Sequence, residues 1–143
     1  MRSVRIEKKY PLYGLDLNES TSPIEAGLGW TVRPEKADFI GRDALLRQKE
    51  AGVQRKLVAI EFDGLDFLPT PGDNISIEGD SVGHVTSADR GFFVGRSIAM
   101  GYVQPAVAKG DLLVEVTDKE GTTRTGTVNL KAAYDPEREI VRA

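Results

Sequence analysis

Residues 112–130 read LLVEVTDKEGTTRTGTVNL. Two runs rich in β-branched residues, 112–117 and 122–130, flank Lys119-Glu120-Gly121, a polar link ending in glycine. A short glycine-bearing link between two strand-like runs makes an antiparallel hairpin. The same pattern extends upstream. Residues 57–62 (LVAIEF) form an apolar run, Ile75 and Ile77 alternate with Asn74, Ser76 and Glu78, and the runs 82–87 and 97–103 follow. Between them lie residues 69–73, Gly91, Gly95, Pro105 and Gly110, all of turn-forming composition. Strands recurring every 8–12 residues or so, with turns between them, predict a closed or layered antiparallel sheet. The expectation is a mainly β fold, an antiparallel six-stranded barrel of jelly-roll-like character, with its body at about residues 53–136.

Ahead of the strands the periodicity changes. Residues 41–51, GRDALLRQKEA, predict one short helix. Ala44, Leu45 and Leu46 give it a narrow apolar stripe, Asp43 and Arg47 stand at i,i+4, and Gly52 follows as the stop. So narrow a stripe belongs to a helix that packs on something larger. Residues 1–40 read as an extended N-terminal segment. Within it, residues 11–30, PLYGLDLNESTSPIEAGLGW, are dense in backbone punctuation. Ser22 and Pro23 suit the cap and first position of a single helical turn. Trp30-Thr31-Val32 is expected as a strand, with Trp30 as a core or interface anchor because of the area a tryptophan buries. Residues 1–9, MRSVRIEKK, fit either the last turns of a helix or an edge strand, and read as a cut end. The division expected is 1–40 as an appendage and 41–143 as connector helix and barrel.

A net charge of -3, with 40% hydrophobic and 29% charged residues, describes a globular chain and argues against nucleic acid as a partner. No apolar run approaches the roughly 20 residues that span a bilayer, so no membrane partner is expected and the cytoplasm is the default compartment. There is no cysteine, and the single histidine excludes a multi-histidine metal site. His84 reads as a sheet histidine. His84, Ser87 and Asp89 are the ingredients of a triad, but no nucleophile elbow accompanies them. Gly91 and Gly95 are not followed by a helix that would present amides to a phosphate. Asp16, Glu19 and Glu25 read as solvated turn carboxylates. Composition and spacing thus give a barrel with no catalytic group and no metal set.

Short motifs in order along the chain carry a resemblance. They are Arg5-Ile6-Glu7, Leu12-Tyr13-Gly14, the run 21–30 (TSPIEAGLGW), 38–45 (DFIGRDAL), 55–58 (RKLV), 83–87 (GHVTS), 98–103 (IAMGYV) and Tyr134-Asp135-Pro136. This set resembles the folate-dependent aminomethyltransferases, the T-protein of the glycine cleavage system and its relatives, over the last third of their length. Leu15 departs from the pattern, since many relatives carry a polar residue there. The resemblance implies a barrel fold, and makes residues 1–40 the remnant of a preceding family domain. It implies a three-domain tetrahydrofolate channel whose catalytic aspartate and pterin-holding glutamate lie in the N-terminal portion. No catalytic residue is therefore assigned to this chain, and tetrahydrofolate is expected only if other domains complete the site.

Three residues are candidates for facing that cofactor. Trp30 and Tyr134 would stack on flat rings, and Arg5 would hold carboxylates. Their structural alternatives are core anchor, barrel-rim packing, and an ion pair with Glu7 or Glu25. Two functions follow: the C-terminal part of a one-carbon (aminomethyl) transferase, or a stand-alone non-catalytic binding or assembly module. The first needs a separate chain supplying the N-terminal domains. In either case Ile6, Tyr13, Leu28 and Trp30 need cover, either by the segment folding back on its own barrel or by a second copy, and a homodimer is the expected way to provide it.

Overall fold

The computed structural model describes residues 2–36, 38–137 and 139–142. Six strands close into a barrel: β1 (Lys56–Phe62), β2 (Asn74–Ile77), β3 (Asp80–Gly91), β4 (Arg96–Val103), β5 (Leu113–Thr117) and β6 (Thr123–Asn129). All pairings are antiparallel, in the spatial order β1-β4-β3-β2-β5-β6, with β6 returning to β1. The hairpin that joins β5 to β6 is held by Asp118, whose Oδ1 accepts the amides of Glu120 (2.9 Å) and Thr122 (2.8 Å). Gly121 supplies the left-handed backbone there, with φ +87°.

The run at 57–62 is apolar on successive residues because β1 is covered on both faces. Val58, Ile60 and Phe62 point into the barrel with Ile75, Val85 and Val116. Leu57 and Ala59 point outward with Ile98, Met100 and Tyr102, under Ile6. Side chains alternate along a strand, so a second core outside the barrel requires a second set of apolar positions. Close strand approach depends on absent side chains. A Cβ at Gly83 would lie 2.1 Å from the Tyr102 carbonyl oxygen, and one at Gly126 only 2.5 Å from Ile60 Cγ2.

The outer core is roofed by the N-terminal residues. Residues 1–9, open between helix and strand in the sequence, contain helix α1 (Arg2–Glu7), which packs across β3 and β4. Ile6 is 1% exposed, so this member of the expected seam is covered by its own barrel. Residues 22–27 form the predicted turn as a capping box: Glu25 N donates to Ser22 Oγ (3.1 Å) and Ser22 N to Glu25 Oε2 (2.9 Å). Glu25 O then accepts Leu57 N at 2.9 Å, tying this turn to the first strand.

Trp30 corrects the sequence reading. Residues Gly29–Thr31 are a 3-10 turn, not a strand. The Leu28 carbonyl accepts both Thr31 N (2.9 Å) and Thr31 Oγ1 (2.7 Å), which curls the chain, and a closed barrel offers no edge for it to join. Trp30 is 67% exposed and no core anchor. Helix α2 (Arg42–Ala51) lies where expected, between Gly41 and Gly52, yet buries none of its residues. Leu45 and Leu46 share a shallow cavity of about 180 Å³ with Ile24, Val32 and Pro34. Asp43 meets Arg42 at 3.8 Å. A further short helix, α3 (Glu139–Arg142), follows the barrel.

Candidate functional site

Asp16 is the most heavily engaged carboxylate of the N-terminal segment. It is 1% exposed, not solvated as its turn composition suggested. Oδ2 accepts Arg5 Nη1 (2.7 Å) and Leu12 N (2.8 Å); Oδ1 accepts Thr86 Oγ1 and Ser87 Oγ, both at 2.6 Å. Two consecutive strand residues normally face opposite sides of a sheet. Here β3 carries a bulge between Val85 and Ser87, opposite Gly101 and Met100 of β4. The extra residue turns Thr86 and Ser87 toward the same carboxylate. Thr86 Oγ1 also lies 3.1 Å from the Met100 carbonyl oxygen, the longer of its two contacts.

Glu7, the last residue of α1, performs a similar task. It is 1% exposed, and its Oε1 accepts Phe93 N (2.8 Å) and Val94 N (3.4 Å) in the β3–β4 hairpin. The Gly91–Gly95 loop therefore presents amides to a carboxylate of its own chain. The Glu7 carbonyl accepts Tyr134 N at 3.0 Å, which brings the C-terminal loop alongside α1. The Tyr134 ring meets Phe93 with centroids 5.3 Å apart, and Lys8 Nζ stands 5.0 Å from its centroid. Lys8 is paired to Asp135, and this hydrogen bond holds the Asp135 carboxyl below the usual carboxylate range.

Beside this junction lies a cleft of about 310 Å³ between the N-terminal segment and the residues after β6. Tyr10, Leu28, Trp30 and Leu130 contribute its apolar surface; Lys8, Lys9 and Lys131 contribute ammonium groups. Lys9 Nζ donates to the Leu130 carbonyl (2.8 Å), and burial lowers its pKa. Lys131 pairs with Glu137 at 2.6 Å. The cleft offers an aromatic wall among lysines that have partners already, with Asp135, the partner of Lys8, on the same lining.

Of the three residues expected to face a cofactor, Trp30 alone lines this cleft. Tyr134 sits next to it, its ring against Phe93 and Lys8. Arg5 is turned away: its side chain is 16% exposed, and its Nη1 serves Asp16 and the Tyr10 carbonyl (3.1 Å). The partner of Arg5 is thus Asp16, where the sequence offered Glu7 or Glu25. Glu25 pairs with Arg55 at 3.4 Å, and the Arg55 guanidinium lies 4.7 Å from the Tyr102 ring centroid. The triad ingredients are not assembled, since Ser87 donates to Asp16 and His84 is exposed on the strand, its ring 6.4 Å from that of Tyr102. Among the described residues, no group of three or more His, Asp or Glu side chains is placed to hold a metal ion. Asp16 and Glu7 escaped the sequence reading, because the donors that tie them to the barrel lie about 70 to 87 residues away along the chain.

Comparison with known proteins follows the same outline. Residues 55–135 match the glycine cleavage T-protein C-terminal barrel domain. The chain belongs to this family. Among curated relatives of the T-protein family, the aminomethyltransferase of Halothermothrix orenii is 48% identical over 102 residues, which is 71% of this chain and 28% of the relative. That of Synechococcus elongatus is 39% identical over 121 residues, 82% of this chain and 32% of the relative. The chain therefore spans less than a third of the length of these curated relatives. The crystal structure of glycine cleavage system aminomethyltransferase T from Bartonella henselae superposes with a TM-score of 0.83 at 29% identity, covering 94% of this chain and 38% of that one. The T-protein likeness thus extends beyond the strands to the N-terminal segment.

Proposed function

We propose that this chain forms the C-terminal part of a tetrahydrofolate-dependent aminomethyl-transfer site, incomplete until further domains join it. The observation that carries the reading is the match of residues 55–135 to the T-protein barrel, continued by the structural likeness over 94% of the chain. The geometry supports incompleteness. The described residues do not by themselves fit a folate: two exposed rings, Tyr10 and Trp30, flank an open cleft, whereas sites for ligands of that size enclose roughly 70–90% of the ligand surface. Arg5 is engaged by Asp16 and Tyr134 by its own neighbours. The family, not the cleft, names the one-carbon chemistry.

The test is aminomethyl transfer to tetrahydrofolate from an aminomethylated carrier, with a full-length relative as reference. The chain alone is expected to fall below the relative by on the order of 100-fold or more, the usual loss when a general acid or base is missing. Calorimetric titration with tetrahydrofolate is expected to show binding weaker than micromolar. Turnover near that of the relative would sink the reading that the chain is incomplete. If a polypeptide carrying the remaining family domains restored no activity to the mixture, the non-catalytic alternative would take its place.

A further inference from the structure

We infer that Lys9 is a nucleophilic amine that condenses with an aromatic aldehyde seated in the Trp30 cleft. The backbone puts it there. Lys9 N donates to the Ile6 carbonyl (2.9 Å) and Tyr10 N to the Arg5 carbonyl (2.8 Å), the pair of bonds that closes a helix around a left-handed residue. That residue is Lys9, at φ +53°, where glycine is usual. Residues held in such sparsely populated backbone regions cluster at functional sites. The Lys9 side chain lines the cleft with Tyr10, Leu28 and Trp30.

Its partner sets it apart from the other two lysines of the cleft. Lys8 meets Asp135 and Lys131 meets Glu137, so both of those ammonium groups are matched by carboxylates. Lys9 Nζ donates instead to the neutral Leu130 carbonyl at 2.8 Å. A neutral amine makes that bond and keeps its lone pair. Burial without a counter-charge favours the uncharged form and lowers the Lys9 pKa. Trp30 and Tyr10, both exposed, supply aromatic surface beside this amine. In the condensation the Nζ lone pair adds to the carbonyl carbon. The aldehyde oxygen then leaves as water with both amine hydrogens, and C=N replaces C=O with no net oxidation or reduction. The inference is independent of whether the barrel takes part in aminomethyl transfer, since it is read by labelling and not by turnover.

The probe is benzaldehyde with cyanoborohydride, which traps the imine as a secondary amine, applied to the whole chain and read by peptide mass spectrometry. At about pH 7.5, Lys9 is expected to react at least about 5-fold faster than the exposed Lys36, Lys109 and Lys119. That lead should fade above about pH 10, where the exposed lysines also become neutral. Lys9→Gly suits the left-handed backbone, so it should fold, as circular dichroism checks, and the fast phase should vanish. With propanal in place of benzaldehyde the lead of Lys9 should shrink at least about 2-fold, for want of stacking on Trp30. Labelling of Lys9 no faster than that of the surface lysines, or a fast phase that survives Lys9→Gly, overturns the inference. An equal lead with both aldehydes overturns the assignment of an aromatic substrate.

Discussion

A buried carboxylate needs its hydrogen-bond acceptors filled, and Asp16 has a donor on each side from three parts of the chain: Arg5, Leu12, and the Thr86–Ser87 bulge. Asp16→Ala would leave the half-buried Arg5 guanidinium without its counter-charge and two hydroxyls without their acceptor. The expected loss is about 3–5 kcal/mol, at the lower end because Arg5 keeps some solvent contact. Urea denaturation checks it; a loss under ~1 kcal/mol would mean that the N-terminal segment is not latched by this residue. None of this was legible in the sequence. Asp16 sits in LDLNESTS, a composition that reads as a wet turn, and the bulge that redirects Thr86 exists only in the pairing of β3 with β4. Trp30 misled for a related reason. Its size argues for burial, but the hydrogen bonds of Leu28 and Thr31 decide where it points.

At the level of elements the strands were readable because two demands coincided. Alternating apolar residues and turn residues at short intervals both survive in a single sequence. All six strands cover the runs those signals mark, but β3 runs on to Gly91, which read as a turn residue. Strand order was not readable, since residues such as Gly83 and Gly126 show only in the structure why they carry no side chain. Gly126→Ala is expected to destabilise by about 1–3 kcal/mol, the usual cost of overpacking, because its Cβ would press on Ile60 and Phe62 inside the barrel. Gly110→Ala, with nothing within 4 Å of its Cβ, is the matched control in thermal unfolding. Equal melting temperatures for the two variants would show that the interior yields more than a close-packed core should. Helix α2 is the converse case. Its position was legible, but not that its stripe meets only loop residues, because a stripe says which face seeks cover and nothing about what supplies it.

For the whole molecule, the unit of packing is larger than the residues that match the family barrel. Ile6, Glu7, Asp16 and Ala26 all lie outside residues 55–135, yet each is buried. The backbone bond from Tyr134 N to Glu7 O has a topological meaning of its own. It makes the path from residue 7 to residue 134 a nearly closed loop, with its ends one hydrogen bond apart. A segment whose two ends adjoin can be cut elsewhere and rejoined. A circular permutant that begins at Glu120, in the exposed β5–β6 turn, and joins the residues after Tyr134 to those before Glu7 through a glycine-rich linker should fold to the same barrel. Its far-ultraviolet circular dichroism should match that of the parent, and a permutant that fails to fold would show that chain order, and not only proximity, is needed. The same adjacency lets the barrel be spliced into a host protein's surface loop as a cassette, entering and leaving at nearly one point.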